Sequence, residues 1–289
     1  MYPQRSPRTP RSPSPRSRPL AAALKASLRH GLVRRYLFLT GSIGSISTTA
    51  GAEITRQWAG VQNLQNQIFK LASSLIFVFG LQITRRYFLN SSWRWMIIIT
   101  TVVMNVVDAP FTFLTIFNVV RNQYFFLDEA LLVAVPRATS FIVQIFVIVE
   151  LAEEGSEGLA YGLLTTIGNL GGPLSTVLSN WFFGHFFHPA LSDSQNYVDD
   201  TPAFRWTVAN SYIVTYIFTF ASLFLLPLLP DQKADTQHRL KTRLRSKWYA
   251  VITLTLSVLA IAFSFTLNIL SVIPATSCLE MAGGDGCDA

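Results

Sequence analysis

Two neighbouring stretches decide the fold of this chain: WRWMIIITTVVMNVVDAPFTFLTIFNVV at Trp93–Val120 and LDEALLVAVPRATSFIVQIFVIVEL at Leu127–Leu151. Each exceeds the ~20 apolar residues with which a helix crosses the hydrocarbon core of a bilayer. Asp108 and Arg137 lie near the middle of these stretches. Because a charge at mid-depth costs a few kcal/mol or more, such residues usually face a protein interior or a wet cavity. The pair therefore indicates the interior of a transporter.

The rest of the chain has the same character. Of its 289 residues, 50% are hydrophobic and only 13% are charged, whereas soluble domains carry about 25% charged residues. Seven membrane spans are predicted, at 36–55, 68–84, 93–120, 127–151, 157–183, 204–229 and 248–273. The first is rich in Ser, Thr and Gly, so it is either an interfacial segment or a helix that lines a cavity. The predicted fold is an all-α, polytopic membrane helix bundle.

The net charge of +7 is distributed as membrane topology predicts, and not as a nucleic-acid-binding surface would require. Nine of the 23 Lys and Arg residues lie within residues 1–35, and six lie within residues 233–247. With the N-terminus in the cytoplasm, these and Arg85, Arg86 and Arg94 all fall on the cytoplasmic side, as the positive-inside rule requires. We expect a multi-pass protein of the plasma membrane, with an organellar membrane as the alternative.

Composition divides the chain into five segments. They are a disordered Arg/Ser/Pro-rich cytoplasmic segment at 1–35, a six-span bundle at 36–230, a basic cytoplasmic connector at 231–247, an extra span at 248–273 and an external tail at 274–289. Proline density and charge prevent the first segment from forming a packed core. The tail contains Cys278 and Cys287, which are either joined by a disulfide in an oxidising compartment or left as free thiols.

The fifth span combines small residues with a potential break. Gly158 and Gly162, and likewise Gly168 and Gly172, are spaced four residues apart, a pattern that lets membrane helices approach closely. Gly171-Gly172-Pro173 predicts a bend or break within the span. A broken helix would bare backbone groups toward a solute. Asn169, one turn earlier, contacts either a solute or another helix.

Asp108 has three interpretations. Its carboxylate serves the backbone near Pro110, forms a structural ion pair with Arg137, or takes part in transport. In the third case Asp108 titrates in proton coupling, Arg137 holds an anionic solute, or the two exchange partners. Gln144, two turns beyond Arg137, would supply a hydrogen bond to the same cavity. Gly155 and Glu157 form the predicted cytoplasmic turn before the fifth span, where a negative charge suits the helix dipole.

No nucleophile triad, glycine-rich phosphate loop or metal-ligand spacing occurs in the sequence. The chain is therefore expected to be no enzyme, to need no cofactor and to hold no metal ion.

The stretch RNQYFFLDEALLVAVPRATSFIVQIFVIVELAEEGSEGLAYGLLTTIGNLGG resembles the folate–biopterin transporter family, a branch of the major facilitator superfamily. That family shows an Asn, a short Asp-bearing segment, a helix ending in G-x-E-G, and then a small-residue helix with Asn and Gly. The matching positions here are Asn122, Asp128, Gln144, Gly155, Glu157, Gly158, Asn169 and Gly171, with Asp108 matching an acidic position in the preceding span. Two features depart from the pattern: Glu153-Glu154 replaces a common Cys-Pro, and Arg137 has no counterpart.

The resemblance implies proton-linked movement of folates or pterins by a secondary transporter. It also implies that 36–230 is the six-helix C-terminal half of a twelve-span fold, with 248–273 as an additional helix. Such a half would pair with an N-terminal half or a second subunit in the lipid bilayer. The competing expectation is a non-transporting membrane subunit or truncated paralogue that acts in assembly or regulation.

Overall fold

The computed structural model of the chain describes residues 31–88, 91–150, 157–187, 190–191 and 193–229, together with scattered residues between 255 and 276. The part of the chain so described contains helices and connecting turns but no strand. The helices are α1 Gly31–Ile43, α2 Thr49–Trp58, α3 Asn63–Tyr87, α4 Trp93–Ile116, α5 Gln123–Leu132, α6 Ala134–Glu150, α7 Glu157–Phe187, α8 Ser194–Asp199 and α9 Pro202–Ser222, which runs into a 3-10 helix at Leu223–Leu228.

Within these residues four segments are long and apolar enough to cross a membrane. They are Asn63–Tyr87, Trp93–Ile116, Gln123–Val147 and Pro202–Leu228. Large apolar side chains point away from the bundle, among them Leu71 at 67% and Phe79 at 69% exposure. Surfaces of this kind suit contact with lipid, as expected of a membrane protein.

The first predicted span, 36–55, is not one helix. α1 ends at Ile43 and α2 begins at Thr49, with Gly44 to Thr48 between them in non-helical conformation. α1 also begins at Gly31, so the predicted disordered segment extends too far at 35. Its last proline is Pro19, and nothing after that residue forbids a helix.

Hydroxyl groups of neighbouring helices hold the break between α1 and α2. The Ser47 N–H donates to Ser179 Oγ of α7 at 3.0 Å, and the Thr48 N–H donates to Thr215 Oγ1 of α9 at 3.2 Å. Thr48 also caps α2, because its Oγ1 accepts the Gly51 N–H at 3.0 Å. The N–H groups of Ser47 and Thr48 are therefore satisfied within the protein, as a membrane interior demands.

The break predicted in the fifth span does not occur. α7 continues as a helix through Gly171, Gly172 and Pro173. A proline removes one backbone donor, and membrane helices tolerate it where neighbouring groups satisfy the rest of the backbone. Of these two spans, as far as the structure describes them, the first is the interrupted one.

Two clusters of buried apolar residues lie at opposite ends of the bundle. The cluster at the end where α4 begins contains Tyr36, Leu37, Trp93, Met96, Ile97, Val143, Val147, Leu226 and Leu229. The cluster at the other end contains Ile54, Ile116, Leu191, Phe204, Val208 and Ala209. α4 runs from one cluster to the other, so its middle, where Asp108 lies, is between them.

Several predicted segments fall outside the described residues. They include residues 1–30, the connector at 231–247, both cysteines, and Gly155 of the predicted turn. In the predicted seventh span, residues 261–263 and 265–267 are helical.

Candidate functional site

Two hydroxyl groups bind Asp108 inside the bundle. Its Oδ2 accepts a 2.5 Å hydrogen bond from the Tyr216 hydroxyl, and its Oδ1 accepts a 3.3 Å bond from Thr112 Oγ1, one turn later on α4. Thr112 is buried and Asp108 is half-buried. Although Pro110 lies in the same turn, neither of these contacts involves the backbone. The site holds a shielded carboxyl group, which is the type of group that carries protons across membranes.

Tyr216 belongs to a row of hydroxyl side chains along α9. The row consists of Ser211, Tyr212, Thr215, Tyr216 and Thr219, whose spacing places them on one broad side of a helix. The Tyr212 hydroxyl lies 2.9 Å from Thr55 Oγ1 on α2. The rings of Tyr212 and Tyr216 have centroids 6.5 Å apart. A polar seam therefore runs from Asp108 through α9 to α2.

A second carboxyl group, that of Glu129, lies at the level of Asp108 on the neighbouring helix α5. The rings of Phe111 on α4 and Phe125 on α5 are in contact, with centroids 4.6 Å apart. Asp108 precedes Phe111 by three residues and Glu129 follows Phe125 by four, and such positions share one face of a helix. α4 and α5 follow each other through a short turn and are antiparallel. Asp108 and Glu129 therefore lie at the same height along the two helix axes.

Arg137 does not form an ion pair with Asp108 in the described structure. Arg137, Phe141 and Gln144 are exposed, and their spacing of four and three residues places them on one face of α6. Glu129, at the level of Asp108, is half-buried, whereas Arg137 is exposed. Arg137 and Gln144 share a surface directed away from the bundle.

Asn169 lies on a similar outward face of α7. The exposed residues described from Gly162 to Thr176 are Gly162, Thr166, Asn169, Gly172, Pro173 and Thr176, all small or polar. A Cβ built on Gly162, Gly168 or Gly172 meets nothing within 4 Å, so close packing inside this chain does not explain these three glycines. Gly171 differs, because it contacts Gly41 of α1.

The predicted turn before α7 is described only in part. Glu157 and Gly158 are helical, at the start of α7, and their side-chain surroundings lie outside the described residues. Their role in a turn or gate stays a prediction.

A charged clasp closes the end of the bundle where α4 ends. The Arg121 guanidinium donates to Asp200 Oδ2 at 2.6 Å and to Oδ1 at 3.0 Å. Arg205 donates to the same two oxygens at 2.8 Å and 2.9 Å. Arg121 also lies 4.5 Å from the ring centroid of Trp58 at the end of α2. Burial opposes ionisation of Asp200, but hydrogen bonds and charge from both arginines outweigh it and hold the pKa of Asp200 below its ordinary value.

Two sequence patterns indicate Tyr216 and Glu129 as site residues, although the prediction of the site did not include them. The hydroxyl residues of α9 recur at helical spacing within an apolar span, which indicates a polar seam. Glu129 lies eight residues before Arg137, or two turns away on the same side of a helix. By contrast, Asp128, which the resemblance to folate–biopterin transporters had singled out, is exposed.

Chemically, the site combines two carboxyl groups with phenol and hydroxyl donors. These groups bind protons and polar solutes. Among the residues that the structure describes, no group of three or more His, Cys, Asp and Glu side chains could hold a metal ion.

Comparison with known proteins provides no family for the chain: no family model, no curated protein and no solved structure matches it.

Proposed function

We propose that this chain is part of a secondary transporter that carries an anionic solute of the folate or pterin class through a membrane. The observation that carries the proposal is the outward face of α7, where the described residues from Gly162 to Thr176 are small or polar. Thr166 and Thr176 donate to backbone oxygens of their own helix, so the exposed amide of Asn169 is the group on this face that is costly to place in lipid. A face of this composition therefore suits water, a solute or another protein.

Neighbouring helices add to this polar surface. α7 packs against α6, and α6 packs against α3. The exposed face of α6 contains Arg137 and Gln144, and that of α3 contains Gln67, Lys70 and Ser74. Exposed polar side chains on three adjacent helices, although interspersed with Phe141 and Leu71, support a shared pathway better than one isolated polar residue would.

The charges of this surface favour an anion. Arg137 and Lys70 are both exposed cations on these faces, and a guanidinium binds carboxylates through two parallel hydrogen bonds. Folates carry carboxylates and a flat ring, so the expected solute class suits the surface. Asp108 with Tyr216 would serve the proton-linked part of the cycle, since intramembrane carboxyl groups commonly do so.

Transport in this proposal requires a second bundle opposite the polar faces, supplied by an N-terminal half or a second subunit. The two would rock around the site. We place the protein in the plasma membrane, with its N-terminus in the cytoplasm.

The decisive experiment is uptake of radiolabelled folate and of a pterin into cells that express the chain with its partner half. Arg137→Gln and Asn169→Ala should each reduce uptake at least about tenfold, by loss of roughly 1.4 kcal/mol or more of solute binding. Arg85→Gln, an exposed arginine at the end of α3, is the matched control and should retain uptake. Variants at Arg137 and Asn169 that reach the membrane and transport normally would refute the proposal, as would absence of uptake by the wild type.

A second candidate function is that of a non-transporting subunit. It is favoured by the open space above Gly162, Gly168 and Gly172, because small residues let another helix approach closely. Gly172→Leu separates the two functions. Loss of a partner from the purified complex indicates a docking face, while unchanged assembly with blocked uptake indicates a pathway.

A further inference from the structure

Arg86 ends a row of exposed apolar side chains along α3. Ile68, Leu75 and Phe79 are all exposed, and they precede Arg86 by 18, 11 and 7 residues, which are close to whole numbers of helical turns. These three residues, called the apolar row below, therefore lead along one side of α3 to a guanidinium group. Ile68 and Arg86 are roughly 27 Å apart along the helix axis, close to the ~30 Å thickness of the hydrocarbon core. Arg86 thus lies at the level where lipid headgroups begin.

Aromatic side chains mark the same level. Tyr87 at the end of α3 and Trp95 at the start of α4 are both exposed. Tyr and Trp are enriched where the hydrocarbon core of a bilayer meets water. The guanidinium carbon of Arg86 lies 6.0 Å from the ring centroid of Tyr87, at the outer limit of a cation–π interaction. This end of α3 and α4 therefore has the composition of a membrane boundary.

Arg86 is an exposed cation without a carboxylate partner in the described part of the chain. The ion-paired arginines described there are Arg56, Arg121 and Arg205. Arg94, which is near Arg86 in sequence, instead donates to the Leu229 oxygen. The acidic residue of α3 and α4 is Asp108, and it is bound inside the bundle by Tyr216 and Thr112. The guanidinium of Arg86 is thus available to an anion from outside the chain.

We propose that Arg86 binds the headgroup phosphate of an anionic phospholipid whose acyl chains lie along the apolar row. The inference concerns a lipid partner and does not depend on transport of a solute. A guanidinium binds phosphate oxygens through parallel hydrogen bonds, and its charge favours a lipid with net negative charge over a zwitterionic one. At the other end of α3, residues 63–69 include no charged side chain, so the site distinguishes the two leaflets. In the topology expected from the positive charges, Arg86 faces the cytoplasmic leaflet, which contains the anionic lipids.

Arg85 provides the matched comparison. It is also exposed, but successive residues of a helix are rotated by about 100°, so Arg85 does not continue the apolar row. A lipid site on the row requires Arg86. A general attraction of anionic lipid to this basic end would instead depend equally on either arginine.

The test measures lipids bound to the purified full chain by native mass spectrometry, from detergent micelles with equal amounts of phosphatidylglycerol and phosphatidylcholine. The wild type should retain phosphatidylglycerol preferentially. Arg86→Gln should weaken binding of phosphatidylglycerol about fivefold, the effect of one arginine near an anionic surface, and leave phosphatidylcholine unchanged. Arg85→Gln should keep the preference of the wild type. Equal losses in the two variants, or a wild type without preference, overturn the inference.

Thermal unfolding in nanodiscs gives a second measurement, in which each protein is compared with its own midpoint in phosphatidylcholine. Addition of phosphatidylglycerol should raise the midpoints of the wild type and Arg85→Gln, because a ligand that binds the folded state stabilises it. It should raise the midpoint of Arg86→Gln less. Inorganic phosphate at the same concentration should raise none, since it has no acyl chain to lie on the apolar row. An equal rise in all three proteins with the lipid overturns the inference, and so does a rise of the wild type with phosphate that matches its rise with the lipid, which would identify a site for free anions.

Discussion

Gly171 of α7 lies directly on Gly41 of α1, backbone against backbone. A Cβ added to Gly171 would lie 2.6 Å from the carbonyl carbon and 2.7 Å from the Cα of Gly41. Neither glycine has a side chain, so the backbones of α1 and α7 come into direct contact at this point. The contact fixes α1 against α7 at the level where α1 approaches the break before α2.

Gly171→Ala should therefore destabilise the protein. The added methyl group has no space, and overpacking of this kind costs about 1–3 kcal/mol, more than the ~1 kcal/mol that alanine gains over glycine in a helix. Gly172→Ala is the matched control, because its Cβ meets nothing within 4 Å. We expect a lower unfolding temperature in detergent for Gly171→Ala and an equal or higher one for Gly172→Ala. Equal stability of the two variants would contradict the contact.

Tyr216→Phe should weaken the bundle through Asp108. The substitution removes the 2.5 Å hydrogen bond to Oδ2 and leaves Thr112 as the donor described for the carboxylate. An unmet hydrogen bond of a buried polar group costs about 1–3 kcal/mol. Tyr161→Phe serves as the control, since Tyr161 is 43% exposed. Thermal unfolding of the three proteins measures the effect, and indistinguishable midpoints would show that the bond contributes nothing.

The pattern of apolar residues was sufficient to predict the helices but not to predict where a helix is interrupted. Runs such as Trp93–Val120 can satisfy their backbone in lipid only as helices, so the fold class followed from composition. The break between Ile43 and Thr49 depends instead on Ser179 and Thr215, which lie far away in the sequence. Gly171-Gly172-Pro173 predicted a break by local preference, yet tertiary packing on Gly41 and continued backbone bonding keep that segment helical.

The candidate site was predicted in part. Asp108 stood out because a charge within an apolar run is rare, and the structure gives it Tyr216 and Thr112 as partners. The ion pair with Arg137, one of its three interpretations, depends on the rotation of both helices, which hydropathy alone does not supply. Glu129 was overlooked because it is near the start of its run, where charges are common.

Replacement of Arg94 by lysine should destabilise the protein. Its Nε and Nη2 donate to the Leu229 oxygen at 2.8 Å and 2.6 Å, so the side chain of α4 binds the backbone just beyond the 3-10 helix. Lysine keeps the charge but lacks the guanidinium fork. We expect Arg94→Lys to lower stability by about 1 kcal/mol. Arg85→Lys, at an exposed position, should change nothing. A stable Arg94→Lys protein would show that charge alone suffices.

The clasp of Arg121, Asp200 and Arg205 should make stability depend on pH in the acid range. Because the pKa of Asp200 is lowered in the folded protein, its stabilisation is complete above the unfolded value of about 3.9. That stabilisation is lost as the pH falls through the lower, folded pKa.

Asp200→Asn tests this dependence directly. The amide cannot accept from two guanidinium groups as a carboxylate does, and both arginines lose their counter-charge. For a side chain that is 18% exposed, we expect a loss on the order of 2 kcal/mol near neutral pH, less than the ~3–5 kcal/mol of a fully buried pair. The difference between wild type and variant should stay constant down to about pH 5 and shrink below about pH 4, where Asp200 is protonated in the unfolded chain before it is protonated in the folded protein. Asp199→Asn, which alters the exposed neighbouring carboxylate, should show no such acid-dependent difference from wild type. Thermal unfolding of the three proteins across this pH range measures the effect. A stability difference between wild type and Asp200→Asn that stays constant down to the most acid pH would show that the charge of Asp200 does not stabilise the clasp.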